Sequence, residues 1–201
     1  MNEQDRFQPR LYFKFRYQKD SEFQALIENG IGNELSDSGY CWAACLDMAL
    51  SPDVPEHIRM QVLIDAVNDE KLAEGVFNQR GELNTHRLGD FVDVVNEYLS
   101  NQKLLPRLNL IKNQKFDDYH LELQKGRRVV FGMADEANGH MMVMDKVYQD
   151  GGKYIYSTWD PAIPNPTEAN IYFDNFQLYG RQQYADVKLL PFIVSVGKET
   201  K

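Results

Sequence analysis

Cys41 is the residue in this chain whose type and position best suit nucleophilic chemistry. It follows a loop at 29–39 rich in Gly, Asn, Asp and Ser, and lies near the start of an apolar segment at 40–50. We predict that this segment is a buried helix, because it is apolar on nearly all sides. The free amides and the dipole at a helix N-terminus stabilise a thiolate, which is the reactive form of cysteine.

The second cysteine, Cys45, lies about one helical turn further along the same segment. Two cysteines at this spacing can bind a metal, but the chain has no further cysteine and its histidines show no ligand spacing. We therefore interpret Cys45 as core packing and expect no metal and no cofactor. A small buried hydrophobic side chain remains the alternative role for Cys41.

The chain has four histidines, and each is a candidate for the base that takes the proton of this thiol. Three of them lie among charged residues, which favours a solvated surface: His57, His86 and His120. The fourth, His140, follows an Asn-Gly pair and begins an apolar strand. This position indicates an imidazole at the end of a sheet, facing a cleft, and a buried core histidine is the alternative.

Asp160 is the carboxylate that we predict beside His140. A hairpin turn centred near Asp150 and Gly151 makes paired residue numbers sum to about 301, so His140 lies opposite residue 160, 161 or 162. A carboxylate there accepts the imidazole N–H and fixes the tautomer of the ring. Asp160 also precedes Pro161, so it is equally a residue that turns the chain.

The order of elements that must position these three residues predicts a single α+β domain over 1–201. Helices dominate a half at about 20–125, with the buried central helix packed on an antiparallel sheet formed by about 126–198. A strand is predicted at 7–18. The predicted helices are 21–28, 40–50, 55–74, 84–101 and 116–125. The predicted strands that follow are 108–111, 128–133, 140–144, 153–159, 170–173 and 189–196.

Composition and charge narrow the classes of partner. The formal net charge of −8 and the lack of a basic run argue against nucleic acid and anionic membranes. No apolar run approaches the roughly 20 residues of a membrane span, and the polar N-terminus leads into no signal-peptide core. We expect a protein in the cytoplasm, or one secreted without a classical signal peptide into a target cell.

Four segments resemble papain-like cysteine peptidases, in particular double-glycine leader peptidases and bacterial papain-like effector proteases. Residues 39–45 (GYCWAAC) resemble the nucleophile motif, and residues 139–143 (GHMMV) resemble the histidine strand. Residues 159–161 (WDP) and 171–176 (IYFDNF) resemble the strand end and the strand that follow. The resemblance implies a papain-like fold, a Cys41-His140-Asp160 triad and a protein or peptide substrate.

The chain departs from the papain pattern at the oxyanion donor. The family usually carries a glutamine several residues before the cysteine, and positions 29–40 contain none. Asn33 is the nearest suitable carboxamide, although it equally suits the turn after Gly32. Gln24 and Gln18 are the alternatives from further upstream, and the Cys41 backbone N–H would supply the second donor.

Three functions remain open from the sequence. The leading hypothesis is a thiol hydrolase, in the setting of a bacterial effector or toxin, that cleaves a peptide or isopeptide bond through a thioester. The segment at 39–42 also resembles the Gly-x-Cys-Trp of transglutaminases, so acyl transfer or deamidation at protein glutamine is the second hypothesis. The third is an inactive papain-like scaffold that binds a partner.

Overall fold

The computed structural model describes residues 16–31, 40–72, 84–113, 115–134, 139–150, 153–163, 169–174, 177–179 and 188–198. These residues form helices and an antiparallel sheet, which confirms the predicted α+β class. The helices are α1 (Ser21–Ile31), α2 (Cys41–Leu50), α3 (Glu56–Asn68), α4 (Leu88–Asn101) and α5 (Phe116–Gln124). The strands are β1 (Pro106–Lys112), β2 (Arg128–Ala134), β3 (Gly139–Asp150), β4 (Lys153–Trp159), β5 (Ala169–Asp174), β6 (Gln177–Tyr179) and β7 (Lys188–Lys198).

The seven strands form one sheet in the order β1-β7-β2-β3-β4-β5-β6. Every neighbouring pair is antiparallel, with Leu108 opposite Val196 and Phe131 opposite Met142. β7 therefore lies between β1 and β2, although it is the last of these strands along the chain. Among the described strands, β1, which falls inside the predicted helical half, pairs only with β7.

The sheet carries helices on both faces. On one face, alternate residues such as Val130, Val143 and Val194 pack into a large apolar cluster with α1, α2, α3 and α4. On the other face, the intervening residues pack against α5 in a smaller cluster that includes Tyr119 and Phe131. The period of two along β2 and β3 thus places apolar side chains in both layers, because both faces are covered.

Helix α2 is the buried central helix, and all of its residues are buried. It contacts β2, β3 and β7 on one side and α3 on the other. Trp42 makes an edge-to-face contact with Phe91 of α4, with ring centroids 5.5 Å apart. The apolar composition of segment 40–50 predicts this placement, since a helix without a polar face has to be enclosed.

One buried charge on α2 fixes the rotation of the helix. The Asp47 carboxylate is 1% exposed, and it accepts a 2.6 Å hydrogen bond from Arg59 Nε of α3 and a 3.0 Å hydrogen bond from Arg16 Nε. Arg59 also donates to the Val54 carbonyl at 2.8 Å. A buried carboxylate without such partners would be strongly destabilising, so these contacts tie α2 to its neighbours.

The C-terminal end of α2 is held by the sheet. Arg128 of β2 donates from Nε to the Ala49 carbonyl at 2.7 Å, and its Nη2 lies 2.5 Å from Asp53 Oδ2. A cation at this position offsets the negative end of the helix dipole and satisfies a carbonyl that has no partner within the helix. Arg128 thereby ties the C-terminal end of α2 to the start of β2, and Cys41 lies at the opposite end of the helix.

Several elements differ from their predicted bounds. Most of the predicted strand at 7–18 lies outside the described residues, and its last part, 16–18, is not a strand. The chain turns there because the Gln18 N–H donates to the Pro161 carbonyl at 2.9 Å and the Asp20 side chain accepts from the Phe23 N–H at the start of α1. α4 begins at Leu88, after a 3₁₀ turn at Thr85–Arg87, and β6 was not predicted.

α3 ends at Asn68, well before the predicted position 74. Asp69 leaves the helix in an extended conformation and its carboxylate accepts the Lys71 N–H at 2.9 Å, which closes a local turn. Among the residues that the structure describes, no helix has the length and apolar character needed to cross a bilayer.

Candidate active site

Three elements meet at one end of the sheet and bring the predicted triad together. Cys41 is the first residue of α2, His140 is the second residue of β3, and Asp160 follows the last residue of β4. Each therefore lies at the end of its element, where a side chain can face an opening. Cys41 is 7% exposed and the His140 side chain is 25% exposed, so the imidazole is the more accessible of the two.

The imidazole of His140 joins the other two residues. Its Nε2 lies 2.7 Å from Oδ1 of Asp160, and the ring also interacts with the Cys41 side chain, which raises the pKa of the imidazole. Because Nε2 is engaged by the carboxylate, Nδ1 is the ring nitrogen left for the thiol. The same Asp160 oxygen also accepts the Ala162 N–H at 2.8 Å, which closes a turn and fixes the carboxylate.

These contacts change the protonation of His140. Burial lowers the pKa of the imidazole, but the hydrogen bonds to Asp160 and Cys41 and the negative charges of both raise it more, to about 9. The protonated ring is therefore the stable form at neutral pH when its two neighbours are anionic. An imidazolium next to a sulfur nucleophile is the arrangement used to activate a cysteine and to protonate a leaving group.

Cys45 is unsuited to the same role. It is fully buried one turn deeper in α2, and both cysteines are free thiols. Burial raises the pKa of the Cys45 thiol well above its usual range, and the charges of Cys41 and Asp160 raise it further. Cys45 therefore stays protonated behind the site and packs in the apolar cluster.

The first turn of α2, which begins at Cys41, has no side-chain cap. Tyr40, at the N-cap position, does not cap the helix with its side chain, and its hydroxyl donates instead to the Glu28 carboxylate of α1. The first N–H groups of a helix have no partner within it. The Cys41 end of α2 thus presents amide donors and the positive end of the dipole to any negative charge that develops there.

The hairpin that brings Asp160 to His140 differs in detail from the prediction. β3 ends at Asp150 and β4 begins at Lys153, and these two residues face each other. The turn residues are therefore 151 and 152, and the paired residue numbers sum to 303. A bulge at Asp145 then removes one residue from the register, and beyond it Val143 faces Trp159 with a sum of 302. His140 and Asp160 are neighbours, as predicted. The turn lies later in the chain than predicted, and the bulge moves the register partly back.

The bulge residue is itself a buried acid that sequence reasoning missed. Asp145 is 0% exposed, and its Oδ1 accepts a 3.1 Å hydrogen bond from Trp159 Nε1 across the strand pair. Its Oδ2 lies 4.0 Å from Lys146 Nζ. Trp159 directly precedes Asp160, so this contact fixes the end of β4 from which the triad carboxylate projects. A charged residue interrupting the apolar run 141–144 was the available signal.

The three candidate oxyanion donors have different outcomes. Asn33 lies outside the described residues. Gln24 is half-buried on the first turn of α1. Gln18 is 5% exposed, and its backbone N–H is bonded to the carbonyl of Pro161, next to Asp160. Of the two candidate glutamines that the structure describes, Gln18 is therefore the one whose backbone is bonded next to a triad residue.

The remaining histidines do not join this site. His57 and His86 are exposed, as predicted. His120, predicted at the surface, is half-buried on α5 with its ring 4.4 Å from the ring of Tyr154. Within the described part of the chain, His, Cys, Asp and Glu side chains form no group of three that could hold a metal.

Comparisons with known proteins give no relative from which a function could be carried over. No protein-family model matches the chain, and no curated protein matches its sequence. The chemistry of Cys41, His140 and Asp160 and the fold around them are therefore the basis for a function.

Proposed function

We propose that this protein is a papain-like thiol hydrolase that cleaves a peptide or isopeptide bond through a thioester on Cys41. The observation that carries the proposal is the position of His140, whose Nε2 lies 2.7 Å from Oδ1 of Asp160 on a strand that packs against α2, the helix that begins at Cys41. A nucleophile, a proton carrier and an orienting carboxylate in this order are the working parts of covalent acyl transfer.

The first half of the reaction forms the thioester. The Cys41 sulfur attacks the substrate carbonyl carbon, and the thiol proton resides on His140, whose raised pKa favours the imidazolium. The oxygen of the tetrahedral intermediate carries the new negative charge. His140 then gives its proton to the leaving nitrogen, the C–N bond breaks and the amine departs.

The second half of the reaction hydrolyses the thioester and releases the carboxylic acid product. His140, now neutral, accepts a proton from a water molecule as the water oxygen attacks the thioester carbonyl. Collapse of this intermediate breaks the C–S bond and returns the proton from His140 to the sulfur, so that the enzyme is unchanged. Asp160 keeps the ring oriented throughout and transfers no proton.

The negative oxygen needs donors that are in place before the reaction. The Cys41 backbone N–H, in the first turn of α2, supplies one. We propose the Gln18 side-chain amide as the other, because Gln18 is buried and its backbone is joined to the chain just after Asp160. Asn33 and Gln24 remain the alternatives.

The papain-like fold is part of the proposal. It is supported by a buried helix that begins at the cysteine, an antiparallel sheet packed on that helix, and a histidine and an aspartate on consecutive strands. We propose a protein or peptide substrate and no nucleic acid or membrane partner. The expected setting is the cytoplasm, or a target cell reached without a classical signal peptide.

Mass spectrometry of cell lysates tests the proposal. Lysate is incubated with the wild-type protein, with Cys41→Ala and with Cys45→Ala as the matched cysteine control. We expect new peptide termini with the wild type and with Cys45→Ala, and none with Cys41→Ala. A gain of about one dalton on glutamine would indicate deamidation instead of peptide-bond hydrolysis. New crosslinks would indicate transglutamination. The absence of every such change would favour the inactive scaffold.

A further inference from the structure

A cavity of about 290 Å³ lies between α4, the end of β1 and the start of β7. Its floor is apolar and is formed by Leu88, Leu110, Leu190 and Phe192. Its rim carries the exposed basic side chains His86 and Lys112. An apolar depression with a few polar groups at its edge is the usual form of a site that binds a side chain or a small molecule.

The cavity and the triad share one end of the sheet. Strands β1 and β2 end there, and their antiparallel neighbours β7 and β3 begin there. Leu190 borders the cavity, and His140 is the second residue of β3. Antiparallel order thus brings residues distant in the chain to the same edge of the molecule.

The cavity and Cys41 also share one face of the sheet. Leu88 and Phe192 belong to the same apolar cluster as Cys41, and Leu110 and Leu190 pack against that cluster. β7 and β3 are separated by β2 alone, so β7 lies about 10 Å from β3 at the usual strand spacing. About three residues of an extended polypeptide span that distance between the two strands.

An irregularity in the sheet shapes the cavity wall. The pairing of β2 with β7 shifts register between Phe131 and Met133, where one residue of β2, Gly132, is opposed by three residues of β7, 190–192. A Cβ atom at Gly132 would lie 2.5 Å from the Leu190 side chain, so any larger residue there would displace it. The glycine lets Leu190 lie flat over β2 at the edge of the cavity.

The charge at the rim is opposite to that of the whole chain. The formal net charge is −8, yet Lys112 is exposed at the cavity mouth and no carboxylate of the described residues pairs with it. Asp90, on the first turn of α4, is already bound by Arg87 at 2.8 Å. A ligand with an acidic group beside an apolar group therefore matches this site better than a basic one.

We propose that this cavity is a specificity pocket for the polypeptide that is cleaved at Cys41: it binds a large apolar side chain of the substrate, and Lys112 binds an acidic residue next to that side chain. The link to cleavage rests on the proposed function. Binding of the side chain itself does not require a reactive thiol, so the two can be tested apart.

The test is a titration followed by ¹⁵N–¹H NMR on the Cys41→Ala protein, which cannot turn over. The probes are the blocked dipeptides Ac-Leu-Glu-NH₂, Ac-Ala-Glu-NH₂ and Ac-Leu-Lys-NH₂. We expect Ac-Leu-Glu-NH₂ to shift the amide signals of Leu110, Asn113, Leu190 and Phe192. Its dissociation constant should be about tenfold lower than those of the other two probes, because each of them lacks one of the two matched groups.

Two variants locate the binding. Leu110→Trp fills the cavity and should abolish the shifts, whereas Leu26→Trp, at a half-exposed position on α1, should not. Lys112→Glu should reverse the preference to Ac-Leu-Lys-NH₂, and Lys103→Glu, exposed at the end of α4, is its control. Lys112→Glu changes only an exposed side chain, so it tests the pocket even if Leu110→Trp does not fold.

The proposal is overturned if the three dipeptides bind equally, if their shifts fall outside the cavity, or if Lys112→Glu leaves the preference unchanged. A lysate experiment without new termini, combined with selective binding of Ac-Leu-Glu-NH₂, would instead remove the proposed function and leave the pocket as a peptide-binding site. The two failures are therefore distinguishable.

Discussion

The indole Nε1 of Trp159 donates a 3.1 Å hydrogen bond to Oδ1 of Asp145, and this contact crosses the strand pair at the bulge that sets the register of His140 and Asp160. We expect Trp159→Phe to lower the free energy of unfolding by about 2 kcal/mol, because it leaves a fully buried carboxylate without its donor. Urea unfolding followed by circular dichroism measures this loss.

A double variant separates the hydrogen bond from the loss of ring area. Asp145→Leu combined with Trp159→Phe removes both partners, and it should be more stable than Trp159→Phe alone. Tyr154→Phe, which removes a hydroxyl from an exposed ring on the same strand, is the control and should cost less than about 0.5 kcal/mol. A Trp159→Phe protein as stable as this control would contradict the assignment.

Reactivity toward a small electrophile should distinguish the two cysteines. We expect iodoacetamide at pH 7 to alkylate Cys41 in the folded protein and to leave Cys45 unmodified, because Cys45 is fully buried and the pKa of its thiol is raised. Peptide mapping by mass spectrometry after timed quenching gives the two rates. Faster labelling of Cys45 than of Cys41 would reverse the assignment of the nucleophile.

The pH dependence of the site follows from the raised pKa of His140. We expect the hydrolytic rate to fall above about pH 9, because the imidazole then loses the proton that it must give to the leaving amine.

The His140 imidazole also makes the free energy of unfolding pH-dependent, because the folded state holds this proton more tightly than the unfolded state. The stabilisation is therefore complete below about pH 6.5 and is lost as the pH rises through about 9.

Replacing the orienting carboxylate should shift that proton. In Asp160→Asn we expect the NMR titration midpoint of the His140 ring to move down from about 9 toward its ordinary value, because one negative partner is lost. Asp117→Asn, on the exposed side of α5, is the matched control and should leave the midpoint unchanged. An unchanged midpoint in Asp160→Asn would show that Asp160 does not act on the ring.

The oxyanion donor is tested by comparing two glutamines. We expect Gln18→Ala to lower kcat by about a hundredfold with little change in KM, because the lost amide acts only on the charge of the transition state. Gln24→Ala, on α1, should behave like the wild type. If the two variants have equal rates, the donor is Asn33 or the backbone alone.

The sequence predicts the position of Cys41 well, because a long apolar segment after a glycine-rich loop has few other ways to fold. The His140–Asp160 pair was predicted from hairpin arithmetic with a turn placed one residue too early. The charged residue after the apolar run 141–144 marks Asp145 as unusual, but its hydrogen bond to the Trp159 indole across the sheet has no local signature. A local pattern contains no information about such a cross-strand partner.

The parts of the fold that the sequence misjudged depend on distant contacts. The segment 16–18 continues an alternating pattern, yet the Gln18 N–H bonds to Pro161, far along the chain, and the chain turns into α1. The cavity at Leu110 and Leu190 likewise combines β1, α4 and β7, which are distant in the chain. Neither arrangement has a signature within a short window of residues.

The place of β7 in the sheet has a consequence for the timing of synthesis. β1 reaches the rest of the sheet only through β7, which is the last described strand to leave the ribosome. Until residues 188–198 have been made, the nascent chain holds Cys41 and His140 but cannot close the sheet on which α2 rests. Long-range pairing of this kind is slow to form. We therefore expect the sheet on which α2 rests to be complete only after this strand has been made.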